Sequence, residues 1–327
     1  MPARATPLVI DVDTGIDDAF ALLYACANPR AQLIGVSTVA GNVDLARATR
    51  NTSAVLALAR RADVPVWPGC AAPMLRPQND ATTHHGASGL GYAELPEPAA
   101  RIAPTHAIDA ILAAASAQPG ALTLVATGPL TNIATALLRE PALPRLLGRF
   151  VLMGGAYREG GNVTPAAEFN IWHDPEAARI VFRAFAVDGA APLIAVGLDV
   201  TRQTQLRPAD LESLARRCSD LPHAPALLRF LSDSSRHYFE TMERLTGARV
   251  FTMHDPLAVA APIDPSLIVT QRVAVGVETT GALTSGMTVA DWRGVWDRRP
   301  NADVAIEVEA PRFVADFLDA MERLARG

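Results

Sequence analysis

The chain has 327 residues, half of them hydrophobic and 19% charged, with a formal net charge of −5; this acidic balance argues against a nucleic-acid surface, which calls for a basic face. No apolar run reaches the roughly 18 residues of a membrane span. Cys26, Cys70 and Cys218 are odd in number, far apart and without a CxxC pair, so neither a disulfide framework nor a zinc site organises the chain, and a reducing cytoplasm suits it.

Leu8 to Ile10 reads as a buried strand and Ala19 to Ala27 as an apolar, helix-compatible run. Between them lies Asp11-Val-Asp13-Thr-Gly15-Ile-Asp17-Asp18. On an extended chain Asp11 and Asp13 point the same way, while Asp17 and Asp18 fall in the first turn of the helix, where an acid or two is favourable. Helix capping accounts for one such residue, not four. Two carboxylates about 5 Å apart at an effective dielectric of about 20 repel by roughly 3 kcal/mol, so something cationic belongs among them. All 29 basic residues are arginine, which leaves a hard divalent metal with a preference for oxygen as the economical candidate. Because the first apolar run is already the first strand, no secretory signal is expected ahead of it.

The same layout repeats: strand Gln32 to Thr38, turn Val39 to Asn42, helix Leu45 to Arg61, then a short strand, Val64 to Trp67. Gly69 to Pro104 follows, rich in Gly, Pro and His, and its polar middle (Thr82 to Gly91) suits a wall of a ligand site. Alternation resumes with helix Ala107 to Ala117, strand Leu122 to Ala126, turn Thr127 to Asn132, helix Ile133 to Arg139, strand Arg149 to Met153 and turn Gly154-Gly155. The polar segment Gly160 to Asn170 precedes a helix, Pro175 to Ala186, and a strand, Pro192 to Val196. Two helices between Arg207 and Leu245 cover the rim, and a further helix opens at His254-Asp255-Pro256, where Asp255 is a helix cap or a second acid for the site. Strands at Ile268 to Val277, Met287 to Ala290 and Ala302 to Val308, and a helix from Arg312 to Arg326, complete the chain.

This order predicts an α/β fold: one domain over residues 1–327, with a mostly parallel, Rossmann-like central sheet flanked by helices. Ligands of such sheets bind beyond the carboxyl ends of the strands, which places the acidic turn and the three glycine-bearing turns on one rim. No GxxxxGK[ST], no GxGxxG after the first strand and no GxSxG occurs, so P-loop, dinucleotide and nucleophile-elbow chemistries are not supported. What remains is an oxygen-rich metal site among Asn, Asp, Glu and His, suited to binding hydroxyls and activating water.

Asp11 to Asp18 resembles the DxDxGxDD signature of the nucleoside hydrolases, the inosine-uridine-preferring type included. Nine further segments resemble the family in order: Thr38 to Asn42, His85 to Gly89, Ala126 to Asn132, Val151 to Gly155, Ala167 to Ile171, Asp174 to Ala177, Gly197 to Thr201, His254 to Pro256 and Gly286 to Asp291. By that resemblance the metal is calcium, held by Asp13, Asp18, Asp255 and the Thr127 carbonyl. Asp13 is then the general base toward the attacking water, and His254 the acid for the leaving base. Asp17 and Asn42 bind ribosyl hydroxyls, Asn162, Glu168 and Asn170 hold the 3′ and 5′ side, and His85, Met153 and Tyr238 line the pocket, with Asp11 orienting its neighbours. The resemblance also implies a small-molecule nucleoside as substrate and a homodimer or homotetramer. Met242 stands where nonspecific members have a second tyrosine, which leaves the base preference open. Two alternatives compete: a phosphatase of the haloacid-dehalogenase type, whose DxD follows the first strand but whose spacing differs at Thr14-Gly15, and a nucleoside-binding protein without turnover.

Overall fold

The computed structural model describes residues 5–95 and 101–327. Its centre is an eight-stranded sheet: β1 (Thr6–Val12), β2 (Ala31–Thr38), β3 (Val66–Pro68), β4 (Thr123–Ala126), β5 (Arg149–Met153), β6 (Leu193–Val196), β7 (Ile268–Val273) and β8 (Ala302–Val308). The spatial order is β3-β2-β1-β4-β5-β6-β8-β7. Every neighbouring pair is parallel except β8 with β7, so the carboxyl ends of β1, β2, β4, β5 and β6 open onto one rim.

Alternation along β1 explains the two layers. Leu8, Ile10 and Val12 join one apolar core and Val9 the other, as the two-residue period of a strand requires. The first core contains helix α1 (Ile16–Ala27), which is no surface helix: ten of its twelve residues are buried. Phe20 stacks on Phe317 at 5.8 Å and meets Phe251 at 4.7 Å. α1 thus lies between the helices His254–Ile263 and Ala310–Arg326, which fixes the direction of its N-terminus and its two acids.

Several boundaries differ from the sequence reading. α1 begins at Ile16, so the acidic turn is only three residues long. The run Ile268 to Val277 is two strands, because β7 ends at Val273 and Val275–Val277 pairs instead with Thr288–Ala290 in a separate antiparallel ribbon. Within 69–104, Thr82–His85 forms a short helix and Ile102 bridges to Val66; residues 96–100 of that segment lie outside the described residues. Phe169–His173 and Leu198–Thr201 are short helices at the rim. Among the described residues no helix is long and apolar enough to cross a membrane.

Candidate active site

The acidic turn takes its shape from three neighbouring segments. Just past β1, Asp13 Oδ2 accepts the Asn42 backbone N–H at 2.7 Å. The turn after β2 can come this close only because residue 41 is glycine: a Cβ there would lie 2.1 Å from Asp13 Oδ2. Asp18 is fully engaged, accepting from the Gly15 N–H (2.9 Å) and Asn42 Nδ2 (3.1 Å) at Oδ2 and from the Thr127 hydroxyl (2.8 Å) at Oδ1. Beneath them Asp11 Oδ1 accepts from the Ser37 hydroxyl at 2.5 Å and from Asn132 Nδ2 at 2.8 Å. Asn132 also donates to the Thr38 carbonyl and accepts from the Cys70 N–H, so one amide ties β1, β2 and the segment after β3 together.

Asp255, at the start of its helix, completes the cluster. Oxygens of Asp17, Asp18 and Asp255, all buried, lie within 4.8 Å of one another, and Asp13 lies against Asp18. At that spacing and an effective dielectric of about 20, each ionised pair repels by about 3 kcal/mol. Burial first, then the Asp18 charge, pushes Asp17 up to about 7. Burial also lifts Asp11 to about 6 against its two hydrogen bonds. Asp13 and Asp255 are raised well above the carboxylate range by burial, then by Asp18 and Asp17 respectively. Asp13 Oδ1 and Asp17 Oδ1 are buried without a hydrogen-bond partner, which a buried polar atom tolerates only at a cost. The donors are all oxygens, and a hard cation satisfies both the unpartnered oxygens and the crowded charge. The residues present therefore fit a divalent metal. Asp17, which the sequence reading assigned to ribosyl hydroxyls, joins Asp18 and Asp255 at this spacing, and Asp13 of the expected ligand set lies beside Asp18.

Two histidines face this cluster. His85 Nδ1 accepts the Ile16 N–H at 3.0 Å and stands 4.0 Å from Asp17; burial pushes it down to about 3. His254 Nδ1 shares a hydrogen bond with Thr201 Oγ1 at 2.7 Å. Burial, then Arg202 and His84, push it down to about 3 as well. The Tyr238 ring stands edge-on to His85 and to Phe251, at 6.5 and 4.8 Å.

A family model described as inosine-uridine preferring nucleoside hydrolase matches residues 8–315. The chain belongs to that family. Among similar proteins, the inosine-uridine preferring nucleoside hydrolase of Crithidia fasciculata is 40% identical over 97% of this chain and 98% of its own. The pyrimidine-specific ribonucleoside hydrolase RihA of Salmonella gallinarum is 38% identical over 95% of this chain and 96% of its own. The solved structure of a purine-preferring ribonucleoside hydrolase from Gardnerella vaginalis superposes with a TM-score of 0.90 at 33% identity, covering 98% of this chain and 99% of that one. As a nucleoside hydrolase, an N-ribohydrolase, the protein splits ribonucleosides into ribose and base. The phosphatase alternative falls with this finding.

In this nucleoside hydrolase the rim also gathers Asn170, Met153 and Glu168. Asn170 Nδ2 donates to the Thr127 carbonyl at 2.7 Å and to the Met153 carbonyl at 3.1 Å, which ties it to the turn whose Thr127 hydroxyl reaches Asp18. Glu168 accepts N–H groups of Gly155, Asn170 and Ile171 and so caps the helix that carries Asn170. Asn162 stands apart: it is exposed, and its Oδ1 accepts the Phe169 N–H at 3.0 Å. The sequence reading assigned no role to Thr201, Asn132 or Ser37. Thr201 and Asn132 do lie in family-like segments, which was the signal available for them.

Proposed function

We propose that the hydrolase is calcium-dependent, with Asp17, Asp18 and Asp255, Asp13 beside them and the Thr127 carbonyl as ligands, and that it acts on both purine and pyrimidine ribonucleosides. The observation that carries this is the buried, oxygen-only carboxylate cluster with unpartnered oxygens on Asp13 and Asp17. Bound there, the cation would offset the carboxylate charge and lower the pKa of a water.

Asp13 is the general base. Its Oδ2 is anchored on Asn42, so its unpartnered Oδ1 takes a proton from the water whose oxygen bonds to C1′. The C1′–N bond breaks as that bond forms, and buried carboxylates around the sugar favour its oxocarbenium-like charge. Asp17 and Asn42 hold ribosyl hydroxyls near the cluster. Glu168, Asn170 and Asn162 hold the far side of the ribose, Asn162 exchanging its bond to Phe169 for one to substrate. His254 protonates the departing base. Its Nδ1 is committed to Thr201, so Nε2 delivers the proton. Burial disfavours the imidazolium, and negative charge growing on the base favours it.

His85, Met153 and Tyr238 line the pocket, and Met242 offers a soft apolar contact that prefers no particular ring. The relatives' names divide between inosine-uridine, pyrimidine and purine preference, so family membership by itself does not fix the base. We further take the chain as one catalytic domain acting in the cytoplasm as a homodimer or homotetramer. Elemental analysis, with a product assay over inosine, adenosine, guanosine, uridine and cytidine, tests the reading: one calcium per chain and free ribose from both classes of base are expected. A stoichiometric transition metal, or ribose from a single class, contradicts it.

A further inference from the structure

Helix α2 (Leu45–Leu58) lies behind the acidic turn and buries four polar residues, Thr49, Asn51, Thr52 and Ser53, of which Asn51 and Thr52 reach Thr14 in that turn. Serine, threonine and asparagine are poor residues for a helix interior unless their side chains bond elsewhere. Here they do. Thr52 donates to the Ala48 carbonyl at 2.8 Å, so its oxygen accepts the Thr14 hydroxyl at 2.6 Å. One residue earlier, Asn51 Nδ2 donates to the Thr14 carbonyl at 3.1 Å and to the Ser88 carbonyl at 2.9 Å. A single amide therefore joins the turn that carries Asp13 and leads into Asp17 and Asp18 to the segment that carries His85. The fit is close on the segment's side as well. Gly89 adopts φ +87°, and a Cβ there would lie 2.9 Å from Asn51 Nδ2 and 2.9 Å from Val43.

We propose that Asn51 is a positioning residue for nucleoside binding: its bridge from Thr14 to Ser88 sets where His85 stands over the ribosyl site. The inference rests on the reading that His85 contacts substrate. The bridge has a direct logic, because both partners are backbone carbonyls and the two N–H donors of one amide join them without burying a charge. His85 Nδ1 accepts the Ile16 N–H, its ring stands against Tyr238 and its carbonyl accepts the Gly91 N–H, so what remains to be tied to the acidic turn is the chain that follows it. Asn51 fixes it three residues on. The acidic cluster itself draws its ligand geometry from Asn42, Gly15 and Thr127, so loss of the bridge leaves the cation site in place.

Two variants break the bridge from opposite sides. Asn51→Leu keeps the volume and removes both donors; Gly89→Ala keeps Asn51 and pushes the segment away. Both are expected to raise KM for inosine about tenfold, with kcat within about threefold of wild type and the bound cation unchanged by elemental analysis. His85→Ala is expected to raise KM by itself, and Asn51→Leu added to it should change KM by less than about twofold, since residues acting through one contact are not additive. Loss of the cation or a parallel fall in kcat in Asn51→Leu would overturn the proposal, as would wild-type KM or full additivity with His85→Ala. If Asn51→Leu fails to fold, Gly89→Ala decides alone: raised KM with cation retained supports the bridge, and wild-type KM refutes it. Should His85→Ala leave KM unchanged, the reading of His85 fails and the proposal with it; should only His85→Ala raise KM, the bridge alone fails.

Discussion

Asp17→Asn exposes the cost of the acidic cluster, because it ought to disable the enzyme while stabilising the protein once the cation is stripped. Asp17 Oδ1 is buried without a donor, and the carboxyl is pushed from 3.8 up to about 7, chiefly by burial and then by Asp18. A carboxyl raised in this way is stabilised in the folded state as the neutral acid. That advantage is complete below the unfolded value near 4 and is lost as pH rises through about 7. The roughly three-unit difference corresponds to about 4 kcal/mol, the larger part the cost of burying the charge and the rest the repulsion of Asp18, whose oxygen lies within 4.8 Å. The substitution removes that charge and presents an amide donor to the remaining carboxylates. In a chelator at pH 8 the variant should therefore gain a few kcal/mol, read as a Tm several degrees above wild type; at pH 4.5 the gain should nearly vanish. With the cation restored the order should reverse, and ribose release should be lost. A stripped variant no more stable than wild type at pH 8, or a gain equal at both pH values, would refute the reasoning.

His254→Ala should slow inosine hydrolysis by roughly 10² to 10⁴, the range of general acid catalysis, and leave p-nitrophenyl riboside nearly unaffected; equal losses on both would assign His254 a structural role. Thr201→Val removes the partner of His254 Nδ1 and should cost about tenfold in kcat on inosine, again sparing the activated substrate. Asp18→Ala or Asp255→Ala should lose both activity and bound metal by elemental analysis, whereas Asp13→Ala should lose activity. Met242→Tyr restores a second aromatic one turn from Tyr238 and should lower KM for nucleosides whose base stacks well, measured as a change in ranking across the five-nucleoside panel.

The rim was legible because its turns carry residues with few other uses. Four acids in eight residues after an apolar run have no structural explanation as a group, and parallel β-α alternation sends every such turn to the same edge. Asp255 was a weaker case from the residues alone, since an acid before a proline at a helix start is also a cap. Only its approach to Asp17 and Asp18 distinguishes the two. The break between β7 and Val275–Val277 left no local trace: both halves are β-branched and alternate alike, and the change of partner at Ala274 is decided by the sheets on either side. Phe169–His173 and Leu198–Thr201 were hidden because four or five residues are too few for a helical period. Asn51 and Thr52 sat in a helix read as ordinary, although two consecutive poor helix formers in its middle were a sign of side chains that bond outside it, as both do to Thr14.

Ribose release from inosine in phosphate-free buffer, by enzyme stripped with a chelator and then titrated with calcium, tests the central claim most directly. Activity should be absent after stripping and should return at one equivalent of calcium per chain, with ribose and hypoxanthine formed in equal amounts. Full activity in the stripped enzyme, or a requirement for phosphate with ribose 1-phosphate as product, would contradict the account.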